Sequence, residues 1–326
     1  MSGMKRRSLL TSSLAAAAAI SPLTSFAQAY PAKPVRMIVP FPAGGATDIL
    51  ARSLSIKLGE KLGQNVVVEN RPGAGGTIGS SAVAQAAADG YTILLATSST
   101  HSIGPATNPK IPYDAVLDFT ALGQVATSPN IVLVPNSSPA KSMRELIEYA
   151  KKNPGKLNYA SSGNGTIVHL TTELFKAQSG SYIVHIPYRG TALAIPDLIS
   201  GKVDLLFDSL VTGLPHAKDG KLRALAVTSA KRSALAPDLP AVADVLPGFE
   251  SVTWFGLYGP KNLPADVVSK LNAALNAALQ DNDVKERFAR LGAEPAASTA
   301  AAFSQLAQSD SAKWKRIIAE RKIAVE

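Results

Sequence analysis

The fold class is decided by one stretch of sequence, Val35-Arg36-Met37-Ile38-Val39-Pro40-Phe41-Pro42-Ala43-Gly44-Gly45-Ala46-Thr47-Asp48. Its first five residues are mostly apolar and β-branched, which favours a strand, and the prolines that follow end that strand. From Thr47 onward, apolar residues recur at helical spacing until Gly63, which predicts a helix. A strand that leads through a glycine-rich loop into a helix is the repeating unit of α/β proteins.

This alternation continues along the rest of the chain. Strand-like runs occur at 65–69, 92–96, 131–134, 157–160, 183–186, 203–207 and 222–228, with helical patterns between most of them. From Ala265 onward the pattern is nearly all helical, and the last predicted helix covers 298–319. Strands that alternate with helices of this length predict an α/β fold with largely parallel sheets.

Two segments are candidates for crossings between two lobes, one near 128–130 and the other near 246–249. If the chain crosses at both, the first lobe is 30–130 together with 249–326, and the second lobe is 131–248. Two connections of this kind form a hinge and leave a cleft between the lobes. We therefore expect a two-lobed protein with a cleft for a ligand.

The composition excludes several classes of protein. The 326 residues include no cysteine, which excludes disulfides, thiol nucleophiles and cysteine-ligated metals. The 33 basic and 24 acidic residues give a net charge of +9, but no run of five or more basic residues occurs. Nucleic acid is therefore not an expected partner.

Residues 1–29 have the pattern of a cleaved export signal. Lys5, Arg6 and Arg7 precede an apolar run that is too short to span a bilayer, and Ala27-Gln28-Ala29 fits the cleavage pattern. Two adjacent arginines leave both the general secretion route and the twin-arginine route open. Cleavage would leave 30 basic and 24 acidic residues, a net charge of +6 that suits an anionic ligand.

Two loops that join a strand to a helix are candidate ligand sites. The first runs from Gly44 to Asp48 and offers backbone N–H groups at a helix start, an arrangement that binds anions without a catalytic side chain. A tight turn capped by Thr47 or Asp48 would have the same sequence. The second loop, 161–166, has the same context with hydroxyl groups added. Ligands of open α/β sheets bind beyond the carboxyl ends of the strands, so each loop could hold one carboxylate end of a ligand.

Longer motifs resemble those of a known family. In chain order they are Tyr30-Pro31-Ala32-Lys33-Pro34-Val35-Arg36-Met37-Ile38-Val39-Pro40-Phe41, Gly44-Gly45-Ala46-Thr47-Asp48, Val68-Glu69-Asn70-Arg71-Pro72-Gly73-Ala74-Gly75-Gly76, Asp89-Gly90-Tyr91-Thr92, Tyr159-Ala160-Ser161-Ser162-Gly163-Asn164-Gly165-Thr166, His169-Leu170, Glu173-Leu174-Phe175, Pro187-Tyr188-Arg189-Gly190, Pro260 and Leu263-Pro264. In this combination, the chain resembles Bug-type receptors, the periplasmic solute-binding proteins of tripartite tricarboxylate transporters. The resemblance covers essentially all of residues 30–326.

The resemblance implies a two-lobed α/β periplasmic-binding-protein (Venus-flytrap) fold, in which each lobe is a mostly parallel sheet flanked by helices. It implies a soluble, monomeric periplasmic receptor that captures a small organic carboxylate and delivers it to the permease subunits of a tripartite transporter. No cofactor, metal or catalytic residue is expected. The expected ligand-binding residues are Gly44, Gly45, Ala46, Thr47, Asp48, Thr97, Ser98, Thr100, Ser161, Ser162, Gly165, Thr166, His169, Arg189 and Asp208.

Two of these residues have alternative roles on chemical grounds. Arg189 can pair bidentately with a carboxylate, or it can brace its own lobe. Asp208 follows a predicted strand. In the cleft it would repel a carboxylate or accept an ammonium group, and at the start of the next helix it would serve as a cap. The family resemblance implies that residues near Asp208 vary with the type of ligand.

Enzyme motifs are weak or missing. His169 and Glu173 have the i, i+4 spacing of metal ligands, but the sequence has no HExxH motif to support them. It also has no G-x-S-x-G nucleophile elbow and no phosphate-binding P-loop, and Ile78 stands where a dinucleotide fingerprint requires its third glycine. An exported hydrolase that uses the same cleft, or a ligand-sensing partner of a periplasmic signalling receptor, remain the alternatives to a transport receptor.

Overall fold

The computed structural model describes residues 30–323, so the predicted export signal at 1–29 lies outside the described part of the chain. Within that part, the strands are β1 (Val35–Val39), β2 (Val66–Asn70), β3 (Thr92–Thr97), β4 (Phe119–Pro135), β5 (Asn158–Ser161), β6 (Val184–Pro187), β7 (Leu205–Ser209), β8 (Leu222–Val227), β9 (Val252–Pro260) and β10 (Glu294–Pro295). The α-helices are α1 (Ala46–Leu62), α2 (Thr77–Ala84), α3 (Gly104–Thr107), α4 (Met143–Lys152), α5 (Ile167–Ser179), α6 (Thr191–Ile199), α7 (Leu210–Lys218), α8 (Ala265–Gln280), α9 (Asn282–Arg290) and α10 (Ala300–Arg321).

The strands form one mixed sheet in the order β2-β1-β3-β9-β4-β7-β5-β6, and β8 and β10 also pair with β4. Its two ends, β2-β1-β3 and β7-β5-β6, are parallel, as strand–helix–strand connections require. The middle is antiparallel, because β9 pairs with β3 and β4, and β4 pairs with β7 and β8. Parallel segments flanked by helices, joined through an antiparallel centre, give an α/β fold with two lobes.

Strand β4 belongs to both lobes. Its residues Phe119–Pro129 pair with β9, whereas pairing with β7 begins at Asn130 and pairing with β8 at Ile131. Nearby, the Ser251 N–H donates to the Thr228 carbonyl just before β9 starts. Two segments therefore pass side by side between a first lobe, built on β1–β3, β9 and β10, and a second lobe, built on β5–β8.

Each lobe has its own apolar core. In the first lobe, helices α1 and α8 cover one face of the sheet with fully buried leucines such as Leu54 and Leu271. In the second lobe, Phe175 of α5 packs on Phe207 of β7 with 5.3 Å between the ring centroids. Each such side chain contributes about 1.5–3 kcal/mol by leaving water, so each lobe is stabilised by a core of its own.

The last helix, α10, packs against both lobes. Near its start, Phe303 contacts Trp254 and Tyr258 of β9, with ring centroids 5.3 and 5.0 Å apart. Three turns later, Trp314 is buried in the core of the second lobe. Helix α10 is thus a further structural link between the lobes, beside the two crossing segments.

The predicted elements agree well with the structure. The helix predicted from Thr47 is α1, and it ends at Gly63, whose left-handed φ of 73° suits a glycine cap. The helix predicted near 78–88 is shorter, since α2 ends at Ala84. Between residues 30 and 323, no helix is long and apolar enough to cross a membrane.

Candidate functional site

A cavity of about 60 Å³ lies between the lobes, where four helices begin. From the first lobe, the start of α1 lines it with Gly45, Ala46 and Thr47. From the second lobe, the starts of α5, α6 and α7 line it with Ile167, Val168, Gly190, Thr191, Ala192, Asp208 and Ser209. Helix starts carry unpaired N–H groups and partial positive charge, so their convergence favours an anionic ligand.

The four helix starts differ in whether a side chain already accepts hydrogen bonds from their N–H groups. Thr166 caps α5 by accepting from the His169 N–H, and Ser209 caps α7 by accepting from the Val211 N–H. The first N–H of α5, on Ile167, donates to the Ser99 hydroxyl of the other lobe at 3.0 Å. By contrast, α1 and α6 begin at Gly45 and Gly190, which have no capping side chain. Each lobe therefore contributes one uncapped helix start to the cavity.

Gly190 permits the close approach of the two lobes. Its φ of 144° is unfavourable for other residues, and a Cβ atom there would lie 2.8 Å from Cδ of Pro42 on the first lobe. Together with the Ser99–Ile167 hydrogen bond, this contact brings the starts of α6 and α5 against the first lobe. The structure is thus a closed arrangement of the lobes.

The rest of the cavity wall is apolar or neutral. Phe41, Pro42 and Phe255 supply apolar surface, and Asn130, at the crossing between the lobes, supplies an amide. Hydroxyl groups come from both lobes, on Thr47, Thr97, Ser99, Ser162, Thr191, Ser209 and Thr253. The hydroxyls of Thr47 and Ser162 have no hydrogen-bond partner within the described chain, so both are available to a ligand.

Asp208 is the one ionisable side chain among the described residues that line the cavity. It is 1% exposed, and neither carboxyl oxygen makes a hydrogen bond of normal geometry within the described chain. Burial raises its pKa to about 6, although Thr191, Thr212 and the Ser209 N–H lie close enough to lower it in part. The alternative role of a helix cap does not apply, because Ser209 caps α7.

Six of the expected site residues line the cavity: Gly45, Ala46, Thr47, Thr97, Ser162 and Asp208. The others lie outside its wall: Gly44, Asp48, Ser98, Thr100, Ser161, Gly165, Thr166, His169 and Arg189. Most of these residues instead make contacts that hold the lining segments in position.

Gly44 and Asp48 hold the first loop in shape. The Gly44 N–H donates to Asp48 Oδ2 at 2.9 Å, and Arg52 Nε and Asn70 Nδ2 also donate to this carboxylate. Burial raises the pKa of Asp48, but these hydrogen bonds outweigh burial and hold it below its usual range. Neither Thr47 nor Asp48 caps α1, because the N-cap is Gly45 and no side chain bonds there.

The segment after β3 forms a π-helical turn, Ser99–Ile103. Thr100 Oγ1 bonds the backbone of Thr97 and lies 3.0 Å from His101 Nδ1, so it stabilises the turn. The Ser98 hydroxyl is buried and has no partner within the described chain. Only Thr97 and Ser99 of this segment line the cavity.

Ser161 and His169 belong to a stacked cluster behind the second loop. Ser161 Oγ lies 2.6 Å from His185 Nε2, and the His185 and His169 rings stack with centroids 4.1 Å apart. The Gly165 N–H donates to His169 Nδ1 at 3.1 Å, which fixes the loop that Thr166 ends. Burial lowers the pKa of both histidines to about 4, so both are neutral near pH 7.

The same cluster bears on metal binding and catalysis. Glu173 does not share a metal site with His169, since it accepts from Tyr159 and pairs with Lys176 at 2.6 Å. No group of three metal-ligating side chains occurs anywhere between residues 30 and 323. Ser161 and His185 have the contact of a nucleophile and its base, but Ser161 is fully buried and lies outside the cavity wall.

Arg189 is exposed on the turn before α6 and does not reach the cavity wall. Arg189 therefore does not bind a carboxylate through two parallel hydrogen bonds inside this cavity. Sequence reasoning also missed several lining residues, notably Asn130, Thr191, Thr253 and Phe255. Thr191 directly follows the Tyr188–Gly190 turn, and this helix start after a glycine was the signal that could have found it.

Comparison with known proteins identifies the family of this chain. The sequence model of one protein family, described as the tripartite tricarboxylate transporter family receptor, matches residues 50–323. The protein BugT of Bordetella pertussis is 38% identical over 296 residues, which cover 90% of this chain and 91% of BugT.

Two solved structures with named ligands have the same fold. Rpa4515 of R. palustris with adipate has a TM-score of 0.88 and 36% identity, and covers 90% of this chain and 99% of its own. MatC of Rhodopseudomonas palustris with bound malate has a TM-score of 0.85 and 32% identity, and covers 89% of this chain and 100% of its own. The chain therefore belongs to the tripartite tricarboxylate transporter receptor family, the periplasmic solute-binding proteins of Bug type.

Proposed function

We propose that this protein captures a small organic carboxylate in the cavity between its lobes and delivers it to the permease subunits of a tripartite transporter. One observation carries the proposal: two uncapped helix starts, α1 from the first lobe and α6 from the second, line the same closed cavity. Each offers N–H groups to one carboxylate oxygen or its bridging water. Adipate and malate, which accompany two of the relatives, are small carboxylates.

Closure follows from the placement of these two helix starts on different lobes. A carboxylate that contacts both has more favourable contacts in the closed form than in the open form, and this difference in affinity is what drives closure. A permease that binds only the closed surface then selects the loaded receptor. We propose residues 30–130 with 249–326 as the first lobe, 131–248 as the second, and 1–29 as the export signal of a monomeric periplasmic protein.

The proposed site comprises Gly45, Ala46, Thr47, Thr97, Ser162, Thr191 and Asp208. It contains fewer groups than a hydrolase uses, because Asp208 is the one ionisable side chain among the described lining residues and the other polar side chains of the proposed site are hydroxyls. A hydrolase would need a second acid or a histidine at the cavity wall. A sensing role would use the same closed surface and differs only in the partner, which an uptake assay with a deletion strain identifies.

A calorimetric titration of the purified protein with mono-, di- and tricarboxylates tests the proposal. The matched variants are Thr47→Val, which removes a free hydroxyl from the cavity wall, and Thr172→Val, which makes the same change at a buried position of α5 outside it. We expect the first to weaken carboxylate binding by about tenfold, the effect of losing one hydrogen bond of roughly 1.4 kcal/mol. Equal effects of the two changes, or no carboxylate binding at all, would contradict the proposal.

A further inference from the structure

The buried carboxyl group of Asp208 is not explained by a site for carboxylates alone. An ionised carboxylate only accepts hydrogen bonds, and inside the closed cavity no described side chain donates one to it with normal geometry. A second carboxylate placed beside it would add repulsion to the cost of burial. When the cavity is loaded, Asp208 must either take up a proton or be compensated by a group of the ligand, because no cationic residue of the described chain lines the wall.

We propose that the ligand of this cavity carries a protonated amine in addition to its carboxylate, and that Asp208 binds this ammonium group and selects for it. The inference rests on the proposed function and specifies its substrate class. An ammonium group supplies both hydrogen-bond donors and the opposite charge, which a hydroxyl or an amide does only in part.

The layout of the wall supports a ligand with two different ends. The uncapped starts of α1 and α6 offer N–H donors, whereas Asp208, at the carboxyl end of β7, offers only acceptors. Both kinds of group line the same small cavity, so the ammonium and the carboxylate of one ligand must be separated by only a few bonds, as they are in an α-amino acid.

The groups around Asp208 do not neutralise its charge. Thr191 on α6, Thr212 on α7 and the Ser209 N–H are neutral, and Ile131 is its neighbour on β4. No charged residue of the described chain contributes to its pKa, which burial raises to about 6. Below that pH the carboxyl group is protonated and no longer attracts an ammonium group.

The test compares ligands that differ only in the amino group. The protein, purified in its native exported form, is titrated at pH 7.5 with alanine and propionate, aspartate and succinate, and glutamate and glutarate. We expect the amino member of at least one pair to bind at least tenfold more tightly. Asp208→Asn should remove this preference, whereas Asp219→Asn, an exposed position at the end of α7, should keep it.

A second measurement does not depend on a variant that folds. In the wild-type protein, the preference for the amino member should decrease when the pH is lowered from 7.5 to 5. Tighter binding of the deaminated members, or a preference that Asp208→Asn leaves unchanged, overturns the inference and leaves the proposed function intact. No binding by any member of the three pairs overturns both.

Discussion

Replacing Asp208 with asparagine should make the ligand-free protein more stable at neutral pH. The pKa of this carboxyl group rises from 3.8 in the unfolded chain to about 6 in the folded protein. Each pKa unit corresponds to about 1.4 kcal/mol, so the buried charge costs roughly 3 kcal/mol of folding free energy at pH 7. An asparagine of nearly the same shape removes this cost.

The sign of the pH dependence follows from the direction of the pKa shift. Because the folded pKa is the higher one, the protonated group stabilises the native state fully below about pH 3.8, and this contribution is lost as the pH rises through about 6. The free energy of unfolding of the variant should therefore exceed that of the wild type by more at pH 7.5 than at pH 4. The predicted change in this difference is about 2.4 kcal/mol, because the carboxyl group of the unfolded chain is already partly ionised at pH 4.

Urea denaturation of both proteins at the two pH values measures this change. The comparison must be made between the two proteins at each pH, because the buried neutral histidines 169 and 185 destabilise both equally as the pH falls from 6.5 toward 4. Asp219→Asn is the control, since its charge is exposed. A difference between wild type and Asp208→Asn that is the same at both pH values would refute the reasoning, because it would mean that the carboxyl group is hydrated in the folded protein.

Three further changes test other parts of the structure. Gly190→Val should lower carboxylate affinity at least tenfold, because the new side chain would meet Pro42 and hold the lobes apart. The control is Gly220→Val, which is also at positive φ but in open space and should leave the affinity unchanged. Small-angle scattering with and without ligand would show whether closure is lost. Gly44→Ala should cost about 1 kcal/mol of unfolding free energy, since φ is 79° there, yet a Cβ has open space and ligand affinity should stay within about threefold in calorimetry. Thr166→Ala should lower the free energy of unfolding in urea by about 1 kcal/mol through loss of the α5 cap, and an unchanged value would mean that the hydroxyl does not cap the helix.

The elements with a strong local pattern were predictable from the sequence. Strand β1 and helix α4 have the predicted bounds, because a β-branched run ended by proline and an amphipathic run after a serine cap each determine their own structure. Strand β4 was predicted only at 131–134, since Gly123 and Pro129 interrupt its first part. Pairing with β9 over eleven residues, a tertiary contact, makes that part a strand.

The sequence could predict lining residues only where a single strand-to-helix loop contains the whole recognisable pattern. The first loop places Gly45 and Thr47 in the cavity wall. The second loop has the same appearance in sequence, yet Thr166 and Ser99 already occupy its helix start, and the α6 start takes its place. Which N–H groups remain unpaired depends on side chains from the other lobe, and a local pattern contains no information about them.

Helix α10 also limits how the protein can open. At 1.5 Å per residue, its 22 residues form a rod of about 33 Å that is seated in the first lobe at Phe303 and in the second at Trp314. Separating the lobes as two free bodies would pull one of these aromatic side chains out of its core, at a cost comparable to the about 3–5 kcal/mol of replacing a buried Phe or Trp with Ala. Rotation about an axis near this rod avoids that cost. The receptor should therefore open by a rotation about an axis near α10, a motion that leaves Phe303 and Trp314 in their cores.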